Sequence, residues 1–149
     1  MKNNYILAIS GNDIFSGGGL HADLATYTVN RLHGFVAVTC LTAMTEQGFE
    51  VLPVDTTVFA QQLDSLKNVP FSAVKLGLLP NVELADLALD FVKAHVNIPV
   101  VLDPVLVCKE NHDVEVSALR DELLKFFPYA SIITPNLPEA ELLVQKELR

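Results

Sequence analysis

Five groups of polar residues each follow a short apolar run, and their residue types suit the binding of a small polar molecule. They are Gly11-Asn12-Asp13, Thr42–Gln47, Gly77, Asp103-Pro104 and Thr134-Pro135-Asn136. In open parallel sheets, ligands bind outside the carboxyl ends of the strands, which is where these groups would lie. Asp, Asn, Gly and Pro also form ordinary turns, so each group taken alone has both interpretations.

Two carboxylates, each of which follows a predicted strand, could hold a divalent cation. Asp103 follows the apolar run Ile98–Leu102, and the proline after it ends the strand, so its side chain is expected at the ligand edge. Asn136 and Glu139 are three residues apart, on one face of the helix that follows the next strand. Mg²⁺ takes one or two protein carboxylates together with waters and phosphate oxygens. The structural alternative makes Asn136 an N-cap and Glu139 a first-turn acid that complements the helix dipole.

Three glycines stand before the first predicted helix. The run Gly17–Ala22 matches the dinucleotide fingerprint G-x-G-x-x-G/A, but in that fold the first glycine directly follows the strand. Here the six residues Gly11 to Ser16 intervene. We therefore predict a glycine-rich rim whose backbone N–H groups approach a small ligand, and we keep an NAD-dependent oxidoreductase as a rival hypothesis.

The chain has two cysteines, both inside apolar segments, which indicates reduced thiols and a cytoplasmic location. Lys109 stands beside Cys108 and could lower the pKa of its thiol, so Cys108 is a better candidate for chemistry than Cys40. The alternative is a buried, inert cysteine. None of the four histidines has the spacing of a metal site to another His, Cys or Glu.

Hydrophobic periodicity predicts that strands and helices alternate along the chain. This pattern is typical of βαβ units, so we predict an α/β three-layer sandwich, a mostly parallel sheet with helices on both faces. The predicted strands are Tyr5–Ile9, Phe35–Leu41, Val51–Val54, Ala73–Leu76, Ile98–Leu102 and Ser131–Ile133, and the predicted helices begin at Leu20, after Asp55, after Asn81, at residue 114 and at Leu137.

The composition of the chain excludes several classes of function. The 149 residues amount to one domain, and 10 Lys and Arg against 18 Asp and Glu give a net charge of −8. Such an acidic chain is a poor binder of nucleic acid or of an anionic membrane surface. No apolar run approaches the roughly 18 residues of a membrane span.

Taken together, the motifs resemble the hydroxymethylpyrimidine (phosphate) kinases and the related pyridoxal kinases of the ribokinase-like superfamily, whose opening runs close to A-G-S-D-x-S-G-G-A-G-I-Q-A-D. The resemblance is collinear and implies that residues 1–149 are the N-terminal part of a single ribokinase-like kinase domain, a truncated form of that fold. The matching segments are Ile9–Asp13, Gly17–Asp23, Phe59–Asp64, Lys75–Leu79, Asp103–Lys109 and Ile133–Ala140, the last with the superfamily's N-x-x-E motif.

The resemblance implies ATP-dependent phosphorylation of a hydroxymethyl group on a vitamin precursor. We expect a vitamin B6 vitamer, pyridoxal or pyridoxine, with hydroxymethylpyrimidine or its phosphate as the alternative, or use of both. A vitamer-binding module without catalysis is the non-enzymatic alternative. By the resemblance, Asp103 and Glu139 organise Mg²⁺, Asn136 lies near the phosphates, and the substrate pocket is lined by Gly11, Asp13, Gly17, Gly18, Gly19, Met44, Val107 and Cys108. The implied cofactors are ATP and Mg²⁺, with a monovalent cation as a further candidate, and a homodimer is expected for the full-length protein.

One departure from the family bears on the substrate. In the members of the thiamin pathway, a Gln in the loop after the second strand reads the pyrimidine, and ungapped from Asp23 that Gln falls on Met44. A thioether packs on a pyridine ring but cannot satisfy the donors and acceptors of an aminopyrimidine, which favours pyridoxal. Gln47 lies three residues further on and could serve instead.

A second departure is an absence from the sequence. The family's G-T-G-C-T-like or G-A-G-C-T-like segment, which forms the anion hole for the transferred phosphoryl group, has no match between Met1 and Arg149. We therefore expect no catalytic residue within this chain and negligible kinase activity from it alone. We also expect exposed apolar surface and an unpaired sheet edge at Ser131–Ile133.

Overall fold

The structure is a computed structural model that describes residues 3–106 and 113–145. In chain order its elements are β1 (Tyr5–Ser10), α1 (Gly19–Val29), β2 (His33–Val38), β3 (Cys40–Thr45), β4 (Gly48–Pro53), α2 (Thr56–Leu66), β5 (Ala73–Leu76), α3 (Val82–Ala94), β6 (Val100–Leu102), α4 (Asp113–Leu124), β7 (Ile132–Ile133) and α5 (Leu137–Val144).

Five strands form one parallel sheet in the order β2-β1-β5-β6-β7, as the alternation of strands and helices predicted. The chain moves outward from β1 to β2 and then returns across β1 to β5. Because crossovers between parallel strands are right-handed, this reversal places α1 on one face of the sheet and α2, α3 and α4 on the other. The point of reversal, between β1 and β5, is where open α/β sheets bind their ligands.

The hydrophobic core lies between the sheet and the helices α2 to α4. Strand residues such as Leu7 and Leu76 meet helix residues such as Phe59 and Leu84 there, and all four are fully buried. The caps of two helices are those that the sequence predicted. Asp55 accepts hydrogen bonds from the backbone N–H groups of residues 57 and 58, and Asn81 accepts one from that of residue 84.

The prediction of one strand over Phe35–Leu41 was wrong, because the chain changes sheets at Thr39. The Thr39 N–H donates to the carbonyl of Ser10 at 3.0 Å, and its hydroxyl donates to the carbonyl of Leu78 at 2.7 Å. After that anchor the chain leaves the parallel sheet and forms the antiparallel hairpin of β3 and β4. Thr42–Gln47, which was expected to follow a strand of the main sheet, therefore lies in this hairpin instead.

The other boundaries differ by a few residues. The helix predicted over residues 114–127 spans Asp113–Leu124 in the structure. The first helix, predicted to begin at Leu20, begins at Gly19. The strand predicted over Ser131–Ile133 has only two residues, although the Ser131 N–H still donates to the carbonyl of Val100 at 2.8 Å. Such shifts at element ends leave the predicted parallel sheet unaffected.

Apart from single residues such as Val29 and Val96, the exposed apolar side chains of the described chain cluster in two regions. One is the hairpin and the loop before α1, where Phe15 and Met44 are more than half exposed. The other is the far edge of the sheet, where Ile132 and Leu137 are also more than half exposed and β7 pairs only with β6. These findings agree with the expected apolar surface and sheet edge. Among the described residues, no helix combines the length and apolar character that crossing a bilayer requires.

The packing of α1 against β2 depends on Gly34, and we predict that Gly34→Ala destabilises the fold. A Cβ at Gly34 would lie 2.6 Å from Leu24 Cδ2 and 2.9 Å from Tyr27 Cδ2, so α1 would have to move away from the sheet. Overpacking of this kind costs about 1–3 kcal/mol of unfolding free energy, which urea denaturation measures. The matched control is Gly18→Ala, where an added Cβ meets nothing within 4 Å. Equal losses in the two variants would contradict the prediction.

Candidate functional site

A cavity of about 410 Å³ opens at the carboxyl ends of β1, β5 and β6, where the strand order of the sheet reverses. The strand ends contribute Gly11, Asp13, Gly77 and Asp103 to its lining, and the hairpin contributes Phe49. Four of the five polar groups predicted from the sequence thus contribute to one cavity, the fourth through Thr42 of the hairpin. The volume is in the range of sites that bind small molecules.

The floor of the cavity depends on close backbone packing at Gly11. A Cβ at Gly11 would clash with the Cys40 sulfur, and a Cβ at Gly19 would clash with the Gly11 carbonyl oxygen. Gly19 also has a φ of +63°, a conformation that favours glycine. The Gly11 carbonyl accepts a hydrogen bond from the Leu20 N–H at 2.9 Å in the first turn of α1. Both glycines therefore serve to bring the strand end and the helix start together.

Asp13 organises the loop that carries the glycine rim. Its Oδ1 accepts from the N–H of Phe15, and its Oδ2 accepts from the N–H groups of Gly17 and Gly18, each at 3.0 Å. The sequence predicted that these N–H groups would face a ligand, whereas in the structure they donate to the carboxylate. Asp13 and Gly19 line the cavity, and Gly17 and Gly18 shape the loop behind them.

The loop and the hairpin are joined above the cavity. The Ile14 N–H donates to the hydroxyl of Thr42 at 2.8 Å, and the rings of Phe15 and Phe49 are stacked with their centroids 6.3 Å apart. Thr42 and Phe49 also line the cavity. The hairpin therefore forms the apolar wall of the site and is held there by the loop that Asp13 organises.

Asp103 brings a carboxylate to the cavity directly after β6. Its N–H donates to the carbonyl of Leu76 at 2.9 Å, so its position is fixed by the end of the sheet. Burial raises the pKa of Asp103; Lys75 opposes this rise, and the carboxylates of Glu139 and Asp23 add to it. A half-buried carboxylate near two others is a position where a cation is favourable.

Asn136 and Glu139 form a capping box at the start of α5. The Asn136 side chain accepts from the Glu139 N–H at 2.8 Å, and the Glu139 carboxylate accepts from the Asn136 N–H at 3.0 Å. The structural interpretation of this motif is therefore confirmed. Glu139 is nevertheless buried and close enough to Asp103 to raise its pKa, so its charge also acts on the cavity.

The structure adds a partly buried ion pair that the sequence analysis did not single out. Lys75 Nζ donates to Asp23 Oδ1 at 2.8 Å, and the Ser10 hydroxyl donates to Asp23 Oδ2 at 3.0 Å. The pair lies between α1 and the sheet, and Lys75 lines the cavity. A signal was present in the sequence, since a lysine within the apolar strand Ala73–Leu76 is rarely buried without a partner.

The remaining predicted residues lie elsewhere. Met44 stands opposite Phe49 in the hairpin, on the same face, but it is 59% exposed and lies beyond the lining of the cavity. Val107 and Cys108 are outside the described residues. Cys40 is fully buried, and burial raises the pKa of its thiol, which agrees with its interpretation as the inert cysteine.

The donor set at the cavity fits Mg²⁺. Asp103 and Glu139 offer carboxylate oxygens, which this hard cation prefers, and they lie near enough to each other to interact electrostatically. In the described ranges, no group of three or more His, Cys, Asp or Glu side chains could hold a metal ion. Two carboxylates are sufficient for Mg²⁺, which keeps several waters and takes phosphate oxygens as further ligands.

Comparisons with known proteins agree with this geometry. The family model described as phosphomethylpyrimidine kinase matches residues 13–149. A pyridoxine kinase of Bacillus subtilis and a hydroxymethylpyrimidine/phosphomethylpyrimidine kinase of Haemophilus influenzae are each 36% identical. These alignments cover 96% and 93% of this chain, and 55% and 52% of those proteins. The chain thus spans about half the length of the curated relatives it matches.

A solved structure extends the comparison to the fold. The ADP complex of a Bacillus subtilis pyridoxal kinase superimposes with a TM-score of 0.89 at 34% sequence identity. The match covers 99% of this chain and 58% of that one. The described elements are therefore those of a vitamin kinase fold, with the cavity at its sheet edge.

We predict that Asp13→Ala disorders the loop before α1 and lowers stability. The substitution removes the acceptor of three backbone N–H groups, and hydrogen bonds to charged groups contribute about 1.5–3 kcal/mol each when intact. Because these groups are partly exposed and water replaces the carboxylate, we expect a net loss of about 1–3 kcal/mol in urea unfolding. Amide exchange at residues 15–18 should accelerate. Asp64→Ala, an exposed carboxylate paired with Lys67, is the control, and an Asp13→Ala variant as stable as this control would refute the role.

Proposed function

The chain belongs to the phosphomethylpyrimidine kinase family, and we propose that the complete protein transfers the terminal phosphoryl group of ATP to the hydroxymethyl group of a small heteroaromatic vitamin precursor. The observation that carries this proposal is the cavity at the reversal point of the sheet, with the Asp103 carboxylate beside it. The relatives are kinases, and the superimposed structure is an ADP complex. A vitamin B6 vitamer is our first choice of substrate, and hydroxymethylpyrimidine or its phosphate is the second.

In this proposal the residues of the chain act mainly by positioning, as phosphoryl transfer requires. Phe49 and Val51 of the hairpin exclude water from one side of the ring, and Asp13 keeps the loop on the other side in place. Asp103 and Glu139 would hold Mg²⁺, which neutralises phosphate charge when it is bound, with Asn136 near the phosphates. The backbone at Gly11 allows the ring to lie close to the strand end.

The proposed activity concerns the complete protein. The family's glycine-rich anion-hole sequence has no match in the 149 residues, and such a segment stabilises the charge that develops on the transferred phosphoryl group. Without it, the cavity and the two carboxylates would bind ligands but would lack a main element of catalysis. We therefore expect the 149-residue chain alone to show no multiple turnover.

The test is an ADP-release assay of the complete protein with ATP, Mg²⁺ and each candidate vitamer. We expect turnover with pyridoxal or pyridoxine and a loss of at least about 100-fold in Asp103→Asn, because the variant loses a carboxylate aimed at the metal. Calorimetry with pyridoxal, ATP–Mg²⁺ and NADH separates the rivals. Vitamer binding without ADP release would indicate a binding module, and NADH binding would indicate an oxidoreductase.

The choice of vitamer leads to a prediction for Met44→Gln. We propose that the Met44 thioether, which stands opposite the cavity residue Phe49 in the hairpin, packs on the pyridine ring. Gln should then weaken pyridoxal binding by about 1–3 kcal/mol, the usual size of a pocket mismatch. Binding of the aminopyrimidine should suffer less or improve. Isothermal titration with both ligands measures the change in preference.

The control for this prediction is Leu41→Gln. Leu41 lies on the same strand and is similarly exposed, but the alternation of side chains places it on the opposite face of the hairpin from Met44. Leu41→Gln should leave the preference between the two ligands unchanged. An unchanged preference in Met44→Gln would assign ring recognition to another residue, for which Gln47 is the next candidate.

A further inference from the structure

Lys75 forms an ion pair with Asp23 and also lines the cavity, which the ion pair alone does not require. Its ammonium is held by Asp23 at 2.8 Å between α1 and the sheet, yet the side chain remains 22% exposed and lines the cavity. Among the described residues that line the cavity, it is the one cation. An ammonium group has three N–H donors, so pairing with Asp23 Oδ1 leaves donors for a further acceptor.

Because Gly77 has no side chain, the space between the Lys75 ammonium and the cavity is free. A Cβ at Gly77 would lie 3.3 Å from Lys75 Nζ and 3.0 Å from the Ser10 Cβ. Gly77 itself lines the cavity, two residues beyond Lys75 at the end of β5. The absent side chain thus leaves space beside the ammonium at the point where a ligand would enter.

The charges around the cavity make this cation important for an anionic ligand. Glu139 and Asp23 lie close enough to Asp103 for their negative charges to raise its pKa. A phosphate that approaches Asp103 is repelled by these carboxylates. Mg²⁺ held by Asp103 and Glu139 would offset part of this repulsion, and the Lys75 ammonium supplies a further positive charge at the cavity. Lysine commonly supplies such a charge to phosphates as a compact point charge.

We propose that the Lys75 ammonium, held in place by Asp23, binds a phosphate oxygen of the ligand at the carboxyl edge of the sheet. The inference rests on the proposed function, which brings phosphates to this cavity. The phosphate has two possible sources, the terminal phosphate of ATP or a monophosphate carried by the heteroaromatic acceptor. In both cases the recognised chemistry is the same oxyanion, and Asp23 is a positioning residue that acts through Lys75.

The test compares Lys75→Met with the double variant Asp23→Asn/Lys75→Met in the complete protein. The single variant leaves Asp23 buried without its cation, which by itself destabilises, whereas the double variant removes both charges and should fold. Calorimetry measures the affinity of each for three probes, namely a non-hydrolysable ATP analogue with Mg²⁺, hydroxymethylpyrimidine monophosphate, and neutral hydroxymethylpyrimidine at pH 8.

We expect both variants to lose about 10- to 100-fold in affinity for a phosphate-bearing probe, the range of a hydrogen bond to a charged group. The affinity for neutral hydroxymethylpyrimidine should change less than about twofold. A loss confined to the ATP analogue assigns the nucleotide as the source, and a loss confined to the monophosphate assigns the acceptor. Lys75→Arg keeps the charge and should retain more phosphate affinity than Lys75→Met.

The control is Lys67→Met, which removes the same charge from an exposed lysine paired with Asp64, away from the cavity. It should leave all three affinities unchanged. The inference is overturned if the double variant binds phosphates as the wild type does, or if the affinity for the neutral probe falls equally. Failure of the proposed function looks different, because the wild-type protein would then release no ADP with any vitamer.

Discussion

Three backbone segments meet at Gly11, and the geometry of the site depends on how closely they approach. The end of β1, the start of β3 and the start of α1 are joined there by hydrogen bonds from Asn12 to Cys40 and from Leu20 to Gly11, each of 2.9 Å. A side chain at Gly11 would push the end of β1 away from β3, because it would clash with the Cys40 sulfur. A side chain at Gly19 would push α1 away, because it would clash with the Gly11 carbonyl oxygen. The loop, the hairpin and α1 consequently enclose the cavity in one fixed arrangement, and its position follows from packing rather than from any ligand.

The charged residues at this edge of the sheet divide into two groups. Asp13 is occupied by three backbone N–H groups, so its charge stabilises the loop and contributes little toward a ligand. Asp103 is fixed by the sheet and faces the cavity with a raised pKa, and it lies within the influence of Lys75 and Glu139. Asp13 therefore has a structural role in the site, whereas the charges around Asp103 do not balance one another. Unbalanced charge is typical of a site that handles cations and phosphates.

The sequence predicted the parallel sheet and the meeting of Gly11, Asp13, Gly77 and Asp103 at its edge, because both depend on local patterns, such as apolar runs followed by Gly or Asp. It did not predict the hairpin, since β3 exposes Leu41 and Met44 while polar residues follow, so the alternation that identifies a half-buried strand is absent. It also missed the pair of Lys75 and Asp23, whose members are 52 residues apart. Such a contact exists only after the sheet has formed and α1 has packed against it.

The main sheet and the hairpin contribute different parts of the site, and this difference is relevant to the choice of substrate. The strand ends hold Asp103 and Lys75 through backbone hydrogen bonds and buried packing, so a change there would disturb the fold as well as the chemistry. The hairpin is a separate two-stranded sheet joined to the site through Thr42 and Phe49, and its outer residues are exposed. Substitutions in the hairpin can therefore alter one wall of the cavity at little cost in stability. Such a separation would allow one fold to take different substrates, and two relatives of equal identity to this chain carry the names of different kinases.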